Sequence, residues 1–339
     1  MNFQQLRYVR AAVQNNLNLT EVANVLFTSQ SGVSKQIKEL EAELGVEIFV
    51  RRGKRLIGLT KAGDGVVKVI DDLLAEAENL KRLSEQFTQH DKGSLVIAAT
   101  HNQARYALPP VLVRFAKLFP DVRIELRQGT PKYVVNTLIR GTADIGIATE
   151  ALDEFPDLET FSCFTWEHRV VVQHGHPLTR IAAPTLADVA RYPIITYNPE
   201  FSGRSQIDAG FERAGIVPDI PLTAMDADVI KTYVRLGMGV GIIAEMAVSQ
   251  DPCDTLVALP GSNSFFEPCM TKIAVLKGTL LRNYAYRLIE MFAPHLDHKV
   301  LSGAVRTSAI ARPQDILPFG ERLDLQAELN PQLSSMVSD

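Results

Sequence analysis

Three groups of polar residues have types and spacings that could do chemistry, and none is a nucleophile beside its base. Gln30, Ser31, Ser34, Lys35 and Lys38 recur at the three- and four-residue steps that place side chains on one face of a helix. Gln, Ser and Lys have the hydrogen-bonding reach to read base edges and phosphates from a DNA groove. Arg51, Arg52, Lys54 and Arg55 crowd around Gly53. Cations set about a glycine can approach phosphates closely and contribute salt-dependent affinity. Thr100, Asn102, Gln103, Thr149 and Ser202 are hydroxyls and amides at the ends of predicted strands or the openings of predicted helices. Backbone N–H groups and such side chains can hold an anion without a lysine. Each group has a plainer alternative: the solvated face of an αα-hairpin, a solvated charge run, and strand-end residues that satisfy local backbone.

The elements that must position these residues follow from periodicity. Residues 18–45 read as two helices joined by a tight turn. Asn18 caps the first, with Glu21 completing a capping box; Phe27 and Thr28 make the turn; Ser29 caps the second and Gly45 stops it. Val33, Ile37, Leu40 and Leu44 give the second helix an apolar stripe, with small Ala23 at the crossing. This is the pattern of a helix-turn-helix, although the glycine common in its turn is absent. A helix over residues 3–16, apolar at Phe3, Leu6, Val9 and Val13, buttresses it. The apolar runs flanking Arg51–Arg55 predict a β-hairpin wing. Thr60 then caps a helix to about Phe87, with Val66, Ile70, Leu73, Ala77, Leu80 and Phe87 in a heptad seam that Ser84 interrupts. Such a seam pairs with its copy in a second chain; the alternative is packing on its own domain.

After the polar HDKG stretch at residues 90–93 the pattern becomes strands alternating with helices. That predicts parallel sheets in two α/β lobes, with a double crossover near Cys163–Trp166 and Phe266–Met270. Small ligands bind such folds in the cleft beyond the strand ends. Trp166, the only tryptophan, falls at the crossover and reads as hinge or core packing. From Pro294 the chain is irregular, and residues 316–319 and 323–329 could dock on a surface.

Composition bounds the alternatives. The chain has 339 residues and 46% apolar content, enough for two or three cored domains. It has no run of about 18 apolar residues and no hydrophobic leader, so no membrane partner and a cytoplasmic location are expected. Cys163, Cys253 and Cys269 lack metal or disulfide spacing. His168, His174 and His176 read as a solvated loop, with no Cys or carboxylate to complete a metal set. The run Gly237 to Gly241 follows a helix and precedes a strand, the wrong order for a dinucleotide fingerprint, and reads as a tight turn. No G-x-S-x-G or Walker loop is present, so no enzyme, cofactor or metal is expected. Net charge is −4, yet residues 1–60 carry eight Lys/Arg against five Asp/Glu. A basic module on an acidic body suits a DNA-binding regulator.

The first 65 residues resemble the LysR-type transcriptional regulators, through LTEVANVLFTSQSGVSKQIKELEAELGVEIFVRRGKR and the LTKAG at residues 59–63. THNQARYALP, QGTP, ADIGIATE, SGRSQID and DADVIKTYVRLGMGVGIIAEMA look like the CysB-type branch, and the likeness runs to about residue 293. The resemblance implies a winged helix-turn-helix over residues 1–60 and a dimerising linker helix over 61–89. It implies a two-lobed effector domain like periplasmic binding proteins: lobe I at 93–165 and 267–293, lobe II at 166–266. Residues 294–339 remain as a tail. It also implies a homotetramer acting on promoter DNA with RNA polymerase, controlling sulfate uptake and cysteine synthesis, with a small anionic effector such as N-acetylserine, sulfate or thiosulfate. The branch holds that anion at positions matching Thr100, Asn102, Gln103, Thr149 and Ser202, with threonine common where Asn102 and Ser202 stand here. Two alternatives remain: a regulator of another pathway with a different anion, and a two-lobed α/β enzyme.

Overall fold

The computed structural model describes residues 1–53, 55–88, 92–248, 254–296, 301 and 316–320, leaving aside the side chains of residues 85–88, 150, 151 and 202. Lys54, Cys253, His90, Asp91 and most of the tail lie outside the described residues, as does the Phe87 side chain of the expected seam. The chain divides into two compact units, Met1–Thr88 with Gly278–Leu280, and Gln89–Lys277 with Leu281–Asp339.

The first unit contains helices α1 (Phe3–Gln14), α2 (Leu19–Val25), α3 (Gln30–Leu44) and α4 (Lys61–Thr88), with the hairpin β1 (Phe49–Arg52) and β2 (Arg55–Leu59). Asn18 caps α2 through its side chain, which accepts from the Thr20 and Glu21 N–H groups; no return bond from Glu21 is among the described hydrogen bonds. Ser29 caps α3, and Gly45 ends it in the left-handed conformation at φ +70°. Val33, Ile37 and Leu40 are buried with Ala23, each large one contributing about 1.5–3 kcal/mol by burial. Leu44 is exposed, and the stripe ends on buried Glu41 instead. Phe3 is likewise exposed, and α1 packs through Leu6, Tyr8, Val9 and Ala12. Phe27 adopts φ +51°, the backbone a glycine would take more easily, and its ring is in solvent.

Helix α4 carries two apolar stripes. Val67, Ile70 and Leu74 are buried in the core of the winged module. Val69, Leu73, Leu80 and Leu83 are exposed, with Val66 half-buried beside them. Ile70, expected in the dimer seam, therefore belongs to the module's own core, and Val69 stands on the exposed stripe instead. At about 100° per residue the two positions diverge by enough to face different neighbours.

The second unit has two mixed sheets. One has the order β13-β6-β12-β5-β3-β4, the other β11-β7-β10-β8-β9. In the first, β3 (Gly93–Ala99) runs parallel to β4 (Val122–Gln128) and β5 (Ile145–Thr149), while β12 (Cys269–Leu276) is antiparallel to β5 and to β6 (Leu158–Trp166). In the second, β8 (Ile194–Tyr197) is parallel to β9 (Leu222–Ala224) and β10 (Val240–Ala244), and β7 (His168–Gln173) is antiparallel to β10 and β11 (Leu256–Ala258). The sheets are mixed rather than all parallel because the chain crosses between them twice, after Trp166 and before Cys269, and the crossing strands run against their neighbours. The Gly237 to Gly241 run is a turn into β10: Gly239 sits at φ +159° with no room for a Cβ, which would fall 2.2 Å from the Pro193 carbonyl oxygen. From the tail, β13 (Leu317–Pro318) lies parallel to β6 at Phe164 and Thr165, and Phe319 is buried 5.4 Å from the Phe164 ring.

Candidate functional site

Two surfaces carry the residues singled out by type and spacing. The first is the polar side of α3. Gln30, Ser31, Lys35 and Lys38 are exposed there and Ser34 is half-buried, because Val33 and Ile37 turn the opposite face inward. Lys35 has only a long, exposed contact with Glu39 at 3.7 Å, which leaves it available. Arg52 and Arg55 face each other across the hairpin next to Gly53, and both are exposed. Arg51 differs from them. Its guanidinium donates to Glu41 Oε2 at 2.9 Å, while Glu41 Oε1 accepts the N–H groups of Ile48 and Phe49 at 2.9 and 3.1 Å. Glu41 thus pins the start of the wing and neutralises Arg51, so Arg51 holds the hairpin in place rather than offering a free charge. Lys54 lies outside the described residues.

The second surface is the cleft between the two sheets of the second unit. It is lined by Thr100, His101, Asn102, Gln103, Thr149, Trp166, Tyr197, Phe201, Gly203 and Met225, around about 370 Å³ of space counted to its mouth. Thr100 and Thr149 stand at the ends of neighbouring strands, and the chain turns from β3 directly into helix at His101, with the Ala104 N–H closing on the Thr100 carbonyl. Residues Gln103–Ala107 form a π-helical turn that runs on into α5 (Pro109–Leu118). Wide turns of this kind occur often at functional sites.

Gln103 is buried and its amide N–H donates to Thr271 Oγ1 at 2.9 Å. Thr271 is itself the cross-strand neighbour of Thr149. Asn102 donates to the Tyr197 hydroxyl at 3.1 Å. The amide oxygens, Asn102 Oδ1 and Gln103 Oε1, are buried without a hydrogen-bond partner among the described residues, as is the Trp166 indole N–H. Four of the five expected residues therefore line one cleft. Ser202 opens a helix of the other lobe, Ser202–Arg213, whose first turn has no side-chain cap, and the Ser202 side chain lies outside the described residues. The Arg204 N–H closes on the Phe201 carbonyl at 2.9 Å, and Gly203 brings the start of this helix to the cleft wall, an end that suits negative charge.

Gly203 is there because of its neighbours: a Cβ would lie 2.9 Å from the Trp166 ring and 3.0 Å from His168 Nε2. His168 is not in a solvated loop but fully buried, packed edge-on against Trp166 and Phe266 at 5.0 and 5.7 Å, and burial lowers its pKa to about 3. Arg204 donates to Asp208 and to the Tyr197 carbonyl, both at 2.7 Å.

The wall beside His101 is ionic. Tyr106 donates to Asp228 Oδ1 at 2.7 Å, and Lys231 donates to the Tyr106 oxygen and the Ala247 carbonyl, both at 3.1 Å. Burial alone would raise the Asp228 carboxyl, but bonds from Tyr106 and Lys231 and the charges of Lys231 and Arg105 outweigh it and hold the pKa at about 2. Among the described residues His101, Asp226 and Asp228 could converge on a cation, yet Asp228 is already matched by Lys231 at 3.0 Å and Arg105 at 3.5 Å.

The lining residues that spacing did not assign to the site, His101, Trp166, Tyr197, Phe201, Gly203 and Met225, come mostly from strand ends and loops of the second sheet. Only the strand ends carried a signal, since ligands collect there.

Residues 3–64 match the model of the bacterial regulatory helix-turn-helix proteins of the lysR family, and residues 88–297 match the LysR substrate binding domain. The chain is 57% identical over 306 residues to the HTH-type transcriptional regulator SsuR of Burkholderia cenocepacia, covering 90% of this chain and 99% of that one. It is 46% identical over 309 residues to the regulator CysB of the same organism, covering 91% and 98%. The crystal structure of the cofactor-binding domain of the Cbl transcriptional regulator superposes with a TM-score of 0.61 at 43% identity, covering 64% of this chain and 94% of that one.

Proposed function

The chain belongs to the LysR family of bacterial transcriptional regulators, and on that premise we propose that it controls genes of sulfate assimilation and cysteine biosynthesis in response to a small anion. Residues 1–60 bind promoter DNA through Gln30, Ser31, Ser34, Lys35, Lys38, Arg52, Lys54 and Arg55, with Arg51 bracing the wing. Residues 61–89 pair two chains, and two dimers join as a homotetramer that engages RNA polymerase in the cytoplasm. Lobe I (93–165 and 267–293) and lobe II (166–266) close on the effector, which Thr100, Asn102, Gln103, Thr149 and Ser202 hold.

One observation carries the choice of ligand. The cleft offers threonine hydroxyls and the Gly203 end of a helix to an anion, and beside them amide oxygens and an indole N–H that have no partner among the described residues. A buried polar group left unpaired costs about 1–3 kcal/mol. A ligand that both accepts and donates removes that cost; sulfate only accepts. An N-acyl amino acid such as N-acetylserine presents a carboxylate, an amide N–H and a hydroxyl together, and so fits better.

Calorimetric titration with N-acetylserine, O-acetylserine, sulfate and thiosulfate tests this, paired with a gel shift on the promoter of a neighbouring sulfur gene. N-acetylserine is expected to bind most tightly and to change the shifted complex. Binding of none of the four would assign the cleft to another pathway's anion.

A further inference from the structure

Tyr197 ends β8 and forms part of the cleft wall, with its ring buried. Its hydroxyl oxygen accepts two N–H donors from different places: the Ala244 backbone at 2.9 Å, and Asn102 Nδ2 from the opposite lobe at 3.1 Å. A phenol has one proton to donate and two lone pairs. With both acceptor positions engaged, the proton must point elsewhere, and among the described hydrogen bonds no residue takes it. Burial holds the phenol well above its usual pKa, so the proton stays on the oxygen at neutral pH. Tyr197 lines the cleft together with Thr100, Trp166 and Gly203.

We infer that Tyr197 is a ligand-contacting residue that donates its O–H to a carboxylate or sulfate oxygen of the bound anion, while the same oxygen ties the two lobes together through Asn102. The inference rests on the reading that this cleft holds an anion. An N–H acceptor shared between lobes has a further consequence. The ligand meets the group that joins the lobes, so occupancy and closure are coupled at one atom.

The test uses the full-length protein with N-acetyl-L-serine and potassium sulfate as probes, followed by calorimetry. Tyr197→Phe is expected to weaken both probes about tenfold. Because that change also removes the acceptor of Ala244 and Asn102, a second variant separates the roles. 3-Fluorotyrosine at position 197 is a more acidic phenol, hence a better donor and a poorer acceptor. It should tighten both probes if Tyr197 donates to the ligand. Weaker binding of the fluorinated protein, in parallel with the phenylalanine variant, would reduce Tyr197 to a structural acceptor and overturn the inference. Thr100→Val distinguishes the two readings. If Thr100→Val loses affinity and Tyr197→Phe does not, the inference fails and the cleft stands. If neither variant changes binding, or the unmodified chain binds neither probe, the anion reading of the cleft fails and the inference with it.

Discussion

His168 shows what burial does to a titratable group that spacing placed in solvent. Its pKa falls to about 3 in the fold, while an unfolded imidazole titrates near 6.5. Between those values the unfolded chain binds a proton that the folded chain refuses, so stability declines as pH drops below about 6.5, by roughly 1.4 kcal/mol per pH unit. His168→Phe removes that dependence while keeping a ring against Trp166. Unfolding in urea at pH 7 and pH 5 should show the wild type losing about 2 kcal/mol more than the variant; parallel losses would mean that His168 is protonated in place. Arg51 makes a related point for the wing. The charge run was legible, but its partner Glu41 lies ten residues earlier, and only folding brings them to 2.9 Å. Arg51→Ala should destabilise the winged module by roughly 1–3 kcal/mol by leaving a nearly buried carboxylate unpaired. Arg52→Ala and Arg55→Ala should leave stability within about 0.5 kcal/mol and flatten the salt dependence of DNA binding instead. Equal salt slopes for all three would undo the distinction.

At the scale of elements, most of the fold could be read from the chain because its signals are local. Caps at Asn18 and Ser29, the stop at Gly45 and the strand ends at Thr100 and Thr149 each depend on a few adjacent residues. What was illegible depends on partners far away. Periodicity cannot tell that Ile70 faces the winged core while Leu73, three residues on, faces out, since both repeat at heptad spacing. Nor could it show that residues 317–318 would add a strand to β6, because two residues carry no period. The exposed stripe of Val69, Leu73, Leu80 and Leu83 is the element-level argument for a dimer: four large apolar side chains on one helix face gain most by meeting a copy. Leu73 is 42% exposed in the single chain, so Leu73→Asp should leave the monomer folded and abolish pairing. Light scattering at micromolar concentration should then give the monomer mass, with unchanged helicity by circular dichroism. A Leu73→Asp protein that still scatters as the wild-type oligomer would place the interface elsewhere.

At the scale of the molecule, charge and closure must act together. The first 60 residues are net basic and the rest of the chain is net acidic, so DNA is attracted to the winged end and repelled from the effector body. A ligand in the cleft then acts on DNA only through the conformation of the body. The lobes are already linked by Asn102 to Tyr197 and by Tyr106 to both Asp228 and Lys231. On the proposed reading, an anion held by Thr100 and Gln103 from one lobe and met by Gly203 from the other would add contacts made only when the cleft is closed. It can shift the balance by no more than its difference in affinity for the two states; a hundredfold preference, about 2.7 kcal/mol, turns an even mixture into nearly all closed. We therefore predict a change in DNA bending and footprint with effector that exceeds the change in affinity. Thr100→Val removes one hydroxyl, and Gln103→Ala removes an amide and leaves Thr271 unpaired; each should lower effector affinity by about 1–3 kcal/mol while DNA affinity without effector stays the same. Footprints of the wild type and both variants, each with and without N-acetylserine, separate the possibilities. Responsive footprints in both variants would move the effector out of this cleft, and a wild-type footprint that ignores every ligand would make the chain a constitutive DNA binder.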